Sequence, residues 1–289
     1  MFLVGCTVAS VTACGPGGRN FGNGTPDAAT GSDSGDAPPA HDSSQVYGHS
    51  GKTLYIVDTT TLQATTIGPL TGLAGTESLT DLAVDNQNHM AGISLKNFYT
   101  IDPATGTILS TVPLDATAKG FTALSYVPAA YIAGANASDP DVLVTANGVG
   151  DVYRVDPVAG SAMKIGNYGL TANNDQISSS GDLVGIQGLG IFATVNVGTE
   201  TNDYLARIDP ANGYKATLIG TGTGFDNIFG LGFWAGKLYG FVDIKGSGGA
   251  AGTGKVVFLD STTGFGQELM AGNVEWYGAG VETNAPIIQ

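Results

Sequence analysis

Between Val46 and Val281, short apolar runs rich in Tyr, Phe, Val, Ile, Leu and Ala alternate with clusters of Gly, Asp, Asn, Pro and Thr. Runs this short, bounded by turn-forming residues, predict strands joined by tight connections rather than helices. One four-strand phrase reads Thr80–Val84, a turn at Asp85-Asn86-Gln87-Asn88, His89–Ser94, Asn97–Ile101 and Thr107–Leu114. A second reads Asp182–Val184, Ile191–Asn196, Tyr204–Ile208 and Tyr214–Gly220, and a third Phe229–Phe233, Leu238–Val242, Val256–Leu259 and Phe265–Met270. The unit between the first two fits the same phrase with an inserted loop around Ala135–Pro140.

One corner of the phrase recurs almost letter for letter. Tyr55-Ile56-Val57-Asp58, Tyr99-Thr100-Ile101-Asp102-Pro103-Ala104-Thr105-Gly106, Tyr153-Arg154-Val155-Asp156 to Gly160, Ile208-Asp209 to Gly213, and Leu259-Asp260 to Gly264 share a strand, an Asp and a turn, and four of them a closing Gly. The aspartates stand 44, 54, 53 and 51 residues apart, close to the period of about 40–50 residues that marks propeller blades. In such a corner Asp accepts backbone N–H bonds and Gly takes a left-handed conformation. Asp58, Asp102, Asp156, Asp209 and Asp260 are therefore read as structural turn residues rather than a carboxylate ring.

The two ends complete the pattern. Val46–Ser50 resembles the second-strand phrase Leu238–Val242, so the first unit lacks an innermost strand, whereas Trp276–Val281 resembles the innermost phrase Phe229–Phe233 and is left over. Pairing these ends predicts a closed all-β propeller of five four-stranded blades, with six as the alternative count, sealed where the C-terminal strand joins the N-terminal blade.

Composition extends the picture. Glycine supplies 45 of 289 residues, about twice its usual ~7% share. The 25 acidic against 11 basic residues leave a net charge of −14, which excludes the basic footprint of a nucleic-acid binder. Both cysteines, Cys6 and Cys14, precede the repeat, so the folded part has neither a disulfide framework nor a thiolate metal site. Residues 1–14 are apolar and small and end in Val11-Thr12-Ala13-Cys14, which resembles the lipobox of bacterial lipoproteins. That resemblance implies lipidation of Cys14 after export. No Lys or Arg precedes Cys14, so the export signal is expected to begin upstream. Residues 15–45, rich in Gly, Pro, Ser, Asp and Ala, read as a flexible tether, leaving residues 46–289 as the propeller. The expected location is extracytoplasmic, on the outer membrane or cell surface, with the lipid as the only membrane contact.

The Tyr-x-Ile-Asp-Pro-x-x-Gly phrases resemble those of bacterial extracytoplasmic propellers of the YVTN and quinoprotein-like kind, across roughly Val46–Val281. The resemblance implies that any active surface is the mouth of the central channel. It implies no single function, because such propellers host lyases, lactonases, dehydrogenases and pure binding scaffolds. No nucleophile elbow, phosphate loop or zinc-protease motif occurs, and His41, His49 and His89 form no metal-binding spacing. The reading is a monomeric, non-enzymatic binding propeller for a protein, peptide or glycan of the cell envelope, with a channel-mouth lyase, lactonase or quinoprotein-like enzyme as the alternative. No cofactor is indicated except possible calcium. Asp81 and Asp182 occupy equivalent places in their phrases, and Glu77, Asp175, Asp226, Asn227 and Glu275 lie nearby in sequence or pattern. Together they are expected to form one acidic rim, where hard oxygen ligands, Asp81 and Asp182 above all, suit a calcium ion. Trp276, Tyr277 and Trp234 are candidate platforms for a sugar or peptide.

Overall fold

The repeated corner produces five antiparallel sheets of four strands each. The computed structural model describes residues 42–115, 120–244 and 252–287, all within the unit His41–Gln289. Cys14 and residues 15–41 lie outside the described residues.

In chain order, the first blade contains β1 (Val46–His49), β2 (Thr53–Val57) and β3 (Ala64–Pro69). The second contains β4 (Asp81–Val84), β5 (Met90–Ile93), β6 (Asn97–Ile101) and β7 (Ile108–Pro113), and the third β8 (Phe121–Val127), β9 (Val142–Asn147), β10 (Asp151–Asp156) and β11 (Ser161–Asn167). The fourth is built from β12 (Ile177–Ile186), β13 (Gly190–Val197), β14 (Tyr204–Asp209) and β15 (Lys215–Ile219). The fifth has β16 (Ile228–Trp234), β17 (Lys237–Asp243), β18 (Gly254–Leu259) and β19 (Gly266–Gly272). The last strand, β20 (Gly278–Val281), returns to the first blade and pairs antiparallel with β1, with Val46 opposite Val281 and His49 opposite Gly278. Five blades form, not six, and the closing strand is the one its leftover phrase predicts. The inner strands β4, β8, β12, β16 and β20 touch in ring order.

Each corner is held as its chemistry requires. The Asp58 side chain accepts the N–H groups of Thr60 and Thr61 at 2.9 and 2.7 Å, Asp156 those of Val158 and Ala159, and Asp260 those of Thr262 and Thr263. Asp102 accepts from Ala104, and Asp209 from Ala211 at the start of a 3-10 turn at Pro210–Asn212. Gly106, Gly160, Gly213 and Gly264 follow with φ of 76°, 68°, 62° and 73°. In the first corner Leu62 takes this place at φ 60°, a conformation that costs a residue with a Cβ about 1–2 kcal/mol. Its side chain packs against the core between the first and fifth blades, which offsets that cost.

Burial grades outward. Every residue of β1, β4, β5 and β20 is buried, whereas the residues of β7, β11 and β19 are exposed or half-buried except Gly266. Inner strands are covered by neighbouring blades, so most of their residues are buried. Trp276, just before β20, is fully buried and meets Tyr55 and Phe241 edge-on at 5.8 and 5.1 Å. β12 is longer than its phrase predicts, because Ile177, Ser178 and Ser179 pair with Val197, Asn196 and Val195 before a bulge. The inserted loop of the third blade runs from residue 128 to 141 and holds a 3-10 turn at Ala129–Tyr131. Beyond β20 the chain continues against the loops of other blades. The Gln187 N–H donates to the Thr283 carbonyl at 2.7 Å, and the Thr283 hydroxyl donates to Asp141 Oδ2 at 2.5 Å.

Candidate functional site

Asp81 begins β4 and Asp182 lies midway along β12, and the structure places both at 0% exposure with their side chains hydrogen-bonded to each other. Each also ties two inner strands together. The Leu82 and Leu124 N–H groups donate to Asp81 Oδ1 and Oδ2 at 2.8 and 2.6 Å. The Leu183 and Leu231 N–H groups donate to Asp182 Oδ1 and Oδ2 at 2.6 and 2.5 Å. The pair therefore spans β4, β8, β12 and β16. Burial drives both carboxyls well above the usual carboxylate range, and for Asp81 the neighbouring Asp182 charge adds to it. Two carboxyls in contact away from water do not both ionise, so they share a proton.

The fifth inner strand contributes Gly278, where a Cβ would overlap both Asp81 Oδ1 and His49 Nε2. Only glycine lets β20 approach the pair. His49 on β1 is fully buried, and desolvation pushes its imidazole down to about 4. With Nδ1 2.9 Å from the Ser50 carbonyl, the proton of the neutral ring sits on Nδ1 and Nε2 is an acceptor without a hydrogen-bond partner.

One residue toward the mouth from this layer, a pocket of about 490 Å³ opens on the axis. Thr80, Thr122, Gly181, Phe229 and Tyr277 line it, one from each inner strand or the residue leading into it, with Ser180, Asp243 and Glu275 between them. The Tyr277 hydroxyl donates to Glu275 Oε1 at 3.2 Å, and the Gly252 N–H donates to Glu275 Oε2 at 3.1 Å. Behind Ser180 stands Asp203, fully buried, whose Oδ2 accepts the Ile228 N–H at 2.7 Å. Burial pushes its carboxyl up to about 7 against the Ile228 and Ser180 bonds that favour the charged form, and the Asp226 charge pushes the same way as burial. A larger cavity of about 710 Å³ lies off the axis, between the inserted loop and β9–β10, where Arg154 and Asp156 line it.

The acidic rim expected from the sequence does not form as one surface. Asp81 and Asp182 are at the buried axis, because both stand at equivalent places on innermost strands, where the neighbouring strands supply N–H donors. All four of their oxygens accept such donors, which suits a shared proton and not a calcium ion. Glu77 is held at the flank of the second blade by the Ser94 hydroxyl, Asn97 and Tyr99. Asp175 is exposed in a loop, accepting the Thr171 hydroxyl at 3.2 Å. Asp226 accepts the Asn227 N–H, and Asn227 carries a left-handed φ of 60° in the link into β16. Glu275 alone of the set lines the axial pocket. Among the described residues, no group of three or more His, Cys, Asp or Glu side chains is disposed to hold a metal ion. Trp276 and Trp234 are core residues, the latter stacked on Tyr239 with planes 4° apart, and only Tyr277 of the three aromatics reaches the pocket. His89 is exposed and pairs with Asp85 at 2.9 Å, and His41 lies outside the described residues.

Sequence reading missed Thr80, Thr122, Ser180, Gly181, Phe229, Asp203 and Asp243. A positional signal was present, since five of the pocket residues directly precede the corresponding positions Asp81, Ala123, Asp182, Gly230 and Gly278. No protein-family model and no curated protein matches the chain. Among solved structures it is similar to a protein of unknown function from Bacteroides caccae, at 10% identity, covering 82% of this chain and 97% of that one with a TM-score of 0.47. It is also similar to a protein from Lactobacillus plantarum (12% identity, 81% and 70% covered, TM-score 0.39) and to the Dos1 propeller (18% identity, 78% and 55% covered, TM-score 0.38).

Proposed function

We propose that this chain is a non-enzymatic binding propeller, displayed outside the cell on a lipid at Cys14, whose axial pocket holds its ligand. The observation that carries the reading is the convergence of all five inner strands on one pocket above a saturated floor. A general acid or base must reach a substrate proton. Asp81 and Asp182 have their oxygens engaged by four strand amides and by each other, so they brace the ring instead. Neither described histidine lines the pocket. The alternative lyase, lactonase or quinoprotein-like enzyme would have to draw its acid or base from Asp243, Glu275 or Tyr277, the ionisable groups among the described lining residues of this mouth. The lipobox resemblance and the acidic, cysteine-free repeat favour an extracytoplasmic setting, with a protein, peptide or glycan of the envelope as partner.

Two experiments test this. In the full precursor, Cys14→Ala is expected to move the protein from the membrane fraction to the soluble fraction, and a variant that still sediments with membranes would contradict the anchor. Replacing both aromatic walls, Phe229→Ala with Tyr277→Ala, is expected to lower affinity for the ligand captured from an envelope extract, identified by mass spectrometry, by about 100-fold or more, since aromatic anchors dominate binding. Unchanged capture by this folded variant would overturn the pocket as the site.

A further inference from the structure

We propose that the axial pocket takes an uncharged apolar ring, an aromatic ring above all, held against Phe229 and Tyr277. The inference rests on the pocket being the ligand site and names the ligand's chemistry.

The pocket is built from irregularities in the inner strands. In β8, Phe121 lies opposite Asn147 and Ala123 opposite Ala146, which leaves Thr122 as an extra residue between them. In β16, Ile228 lies opposite Val242 and Gly230 opposite Phe241, with Phe229 extra in the same way. In β12, Ser180, Gly181 and Asp182 all fall between Ser179 and Leu183, whose partners Val195 and Ala193 flank Thr194 alone. Bulges recur beside binding sites because an extra residue re-aims its side chain out of the ladder. All three bulges here supply pocket residues, namely Thr122, Ser180, Gly181 and Phe229. Two of them are fitted to each other, since a Cβ at Gly181 would overlap the Phe229 Cα and only glycine lets β12 close on the bulge of β16.

The polar side chains of these walls are already committed. The Thr80 hydroxyl donates to the Ile93 carbonyl at 3.1 Å, the Ser180 hydroxyl to the Asp203 carboxyl, and the Tyr277 hydroxyl to Glu275 Oε1 at 3.2 Å. Thr122 Oγ1 is buried, so its hydroxyl is not part of the pocket surface. Asp243 and Glu275 have partners of their own within the protein, the Gly252 N–H among those of Glu275. No Lys, Arg or His stands among the described lining residues. An ion or a sugar would therefore give up its water for side chains that do not replace it, which weakens binding for every polar group left unpaired. The half-buried rings of Phe229 and Tyr277 are the largest apolar surfaces on offer. An uncharged ring covers them without that loss, and an aromatic one gains beyond the area it buries. A volume of about 490 Å³ holds such a ring with the chain that carries it. The same chemistry is carried by a small free aromatic molecule or by an aromatic side chain of a peptide.

The test uses the full chain and five probes: toluene, benzylamine, benzoate, methyl β-glucoside and N-acetyl-phenylalaninamide, titrated while the NMR signals of the Thr122 methyl and of the Phe229 and Tyr277 rings are followed. Toluene is expected to bind at least about tenfold tighter than benzylamine, benzoate or the glucoside, because each of these must shed water from polar groups that the pocket does not pair. Phe229→Leu keeps the apolar bulk and removes the ring. With its melting temperature measured alongside, this variant should lower toluene affinity about fivefold, the share that belongs to ring-on-ring contact. Binding of N-acetyl-phenylalaninamide on a par with toluene supports an aromatic side chain of a peptide as the source, and binding of toluene alone supports a small free aromatic molecule. Benzylamine, benzoate or the glucoside binding as tightly as toluene at these signals, or toluene affinity unchanged in Phe229→Leu, overturns the ring inference while leaving the pocket as a binding site. Silence of the three signals toward every probe overturns both.

Discussion

Deleting residues 273–289 is expected to abolish cooperative folding, not simply to lower the melting temperature. The deletion removes β20, the innermost strand of the first blade, which pairs with all four residues of β1. It exposes one edge of β1, all of whose residues are buried in the intact ring, and an open strand edge favours aggregation. It also takes away Trp276, whose fully buried indole packs against Tyr55 and Phe241, and truncating a buried Trp alone typically costs about 3–5 kcal/mol. Added to the lost strand pairing and the Thr283 contacts, the total is comparable with the roughly 5–15 kcal/mol by which domains are stable. Differential scanning calorimetry should show no transition. Deletion of residues 15–44, which the composition reads as tether, should shift the transition by no more than about 2 °C, given a domain of this size and a change below about 0.5 kcal/mol. Comparable melting of the two truncations would contradict a ring closed through the first blade.

The second large effect belongs to the carboxyl pair at the axis. Asp81→Ala leaves the Leu82 and Leu124 N–H groups without acceptors and Asp182 without the partner that shares its proton. Each buried amide left without an acceptor costs about 1–3 kcal/mol, so the two together cost about 2–6 kcal/mol. Asp182→Ala should cost a similar amount, and the double variant distinctly less than the two together, because the second substitution removes an already orphaned group. Additive losses would show that the two carboxyls are not a unit. Asparagine does not rescue either site, since its NH₂ would face a strand N–H where an oxygen accepts now.

The pair also sets a pH dependence. Its protons are held more tightly in the folded than in the unfolded chain, where Asp titrates near 3.9. The folded state therefore carries the excess of bound protons above about pH 4, and stability falls as pH rises toward the pair's own titration. Asp203, raised to about 7, acts in the same direction. His49, lowered to about 4, acts oppositely, and its contribution grows from pH 4 to 6.5 and is constant above that. Above pH 6.5 only the carboxyl effect remains, so urea midpoints should decline from pH 6.5 to 9. In the Asp81→Ala, Asp182→Ala double variant that decline should be smaller, and an identical slope would remove the pair as its cause.

How legible these features are in the sequence depends on how each is encoded. The blade count and the closure are written in local chemistry, because every corner needs an Asp acceptor and a left-handed residue, and those recur whatever surrounds them. Leu62 shows the limit of that code, since a residue with tertiary packing stands where the pattern asks for glycine. Asp81 and Asp182 are visible as equivalent positions but not as a pair, because the sequence says that each opens an inner strand and not how closely five such strands converge. An Asp at a strand start reads as a solvated cap until the neighbouring blade supplies its N–H groups. The pocket residues Thr80, Thr122, Gly181, Phe229 and Tyr277 share a position and no chemistry, so no repeat of residue type reveals them. Asp203 is further hidden, since it enters through a separate connection between the third and second outermost elements of its blade and meets the axis only through Ser180.

The account turns on the axial pocket, and not the larger off-axis cavity beside Arg154 and Asp156, being where this propeller meets its ligand. A small-fragment library screened by NMR, with assigned methyl and aromatic signals throughout the ring, decides between them directly. The predicted result is that fragment hits cluster on the signals of Thr80, Thr122, Phe229 and Tyr277 and are lost in the Phe229→Ala, Tyr277→Ala variant. Hits that instead cluster on Tyr126, Val142, Leu143 and Met163 and survive that variant would contradict it.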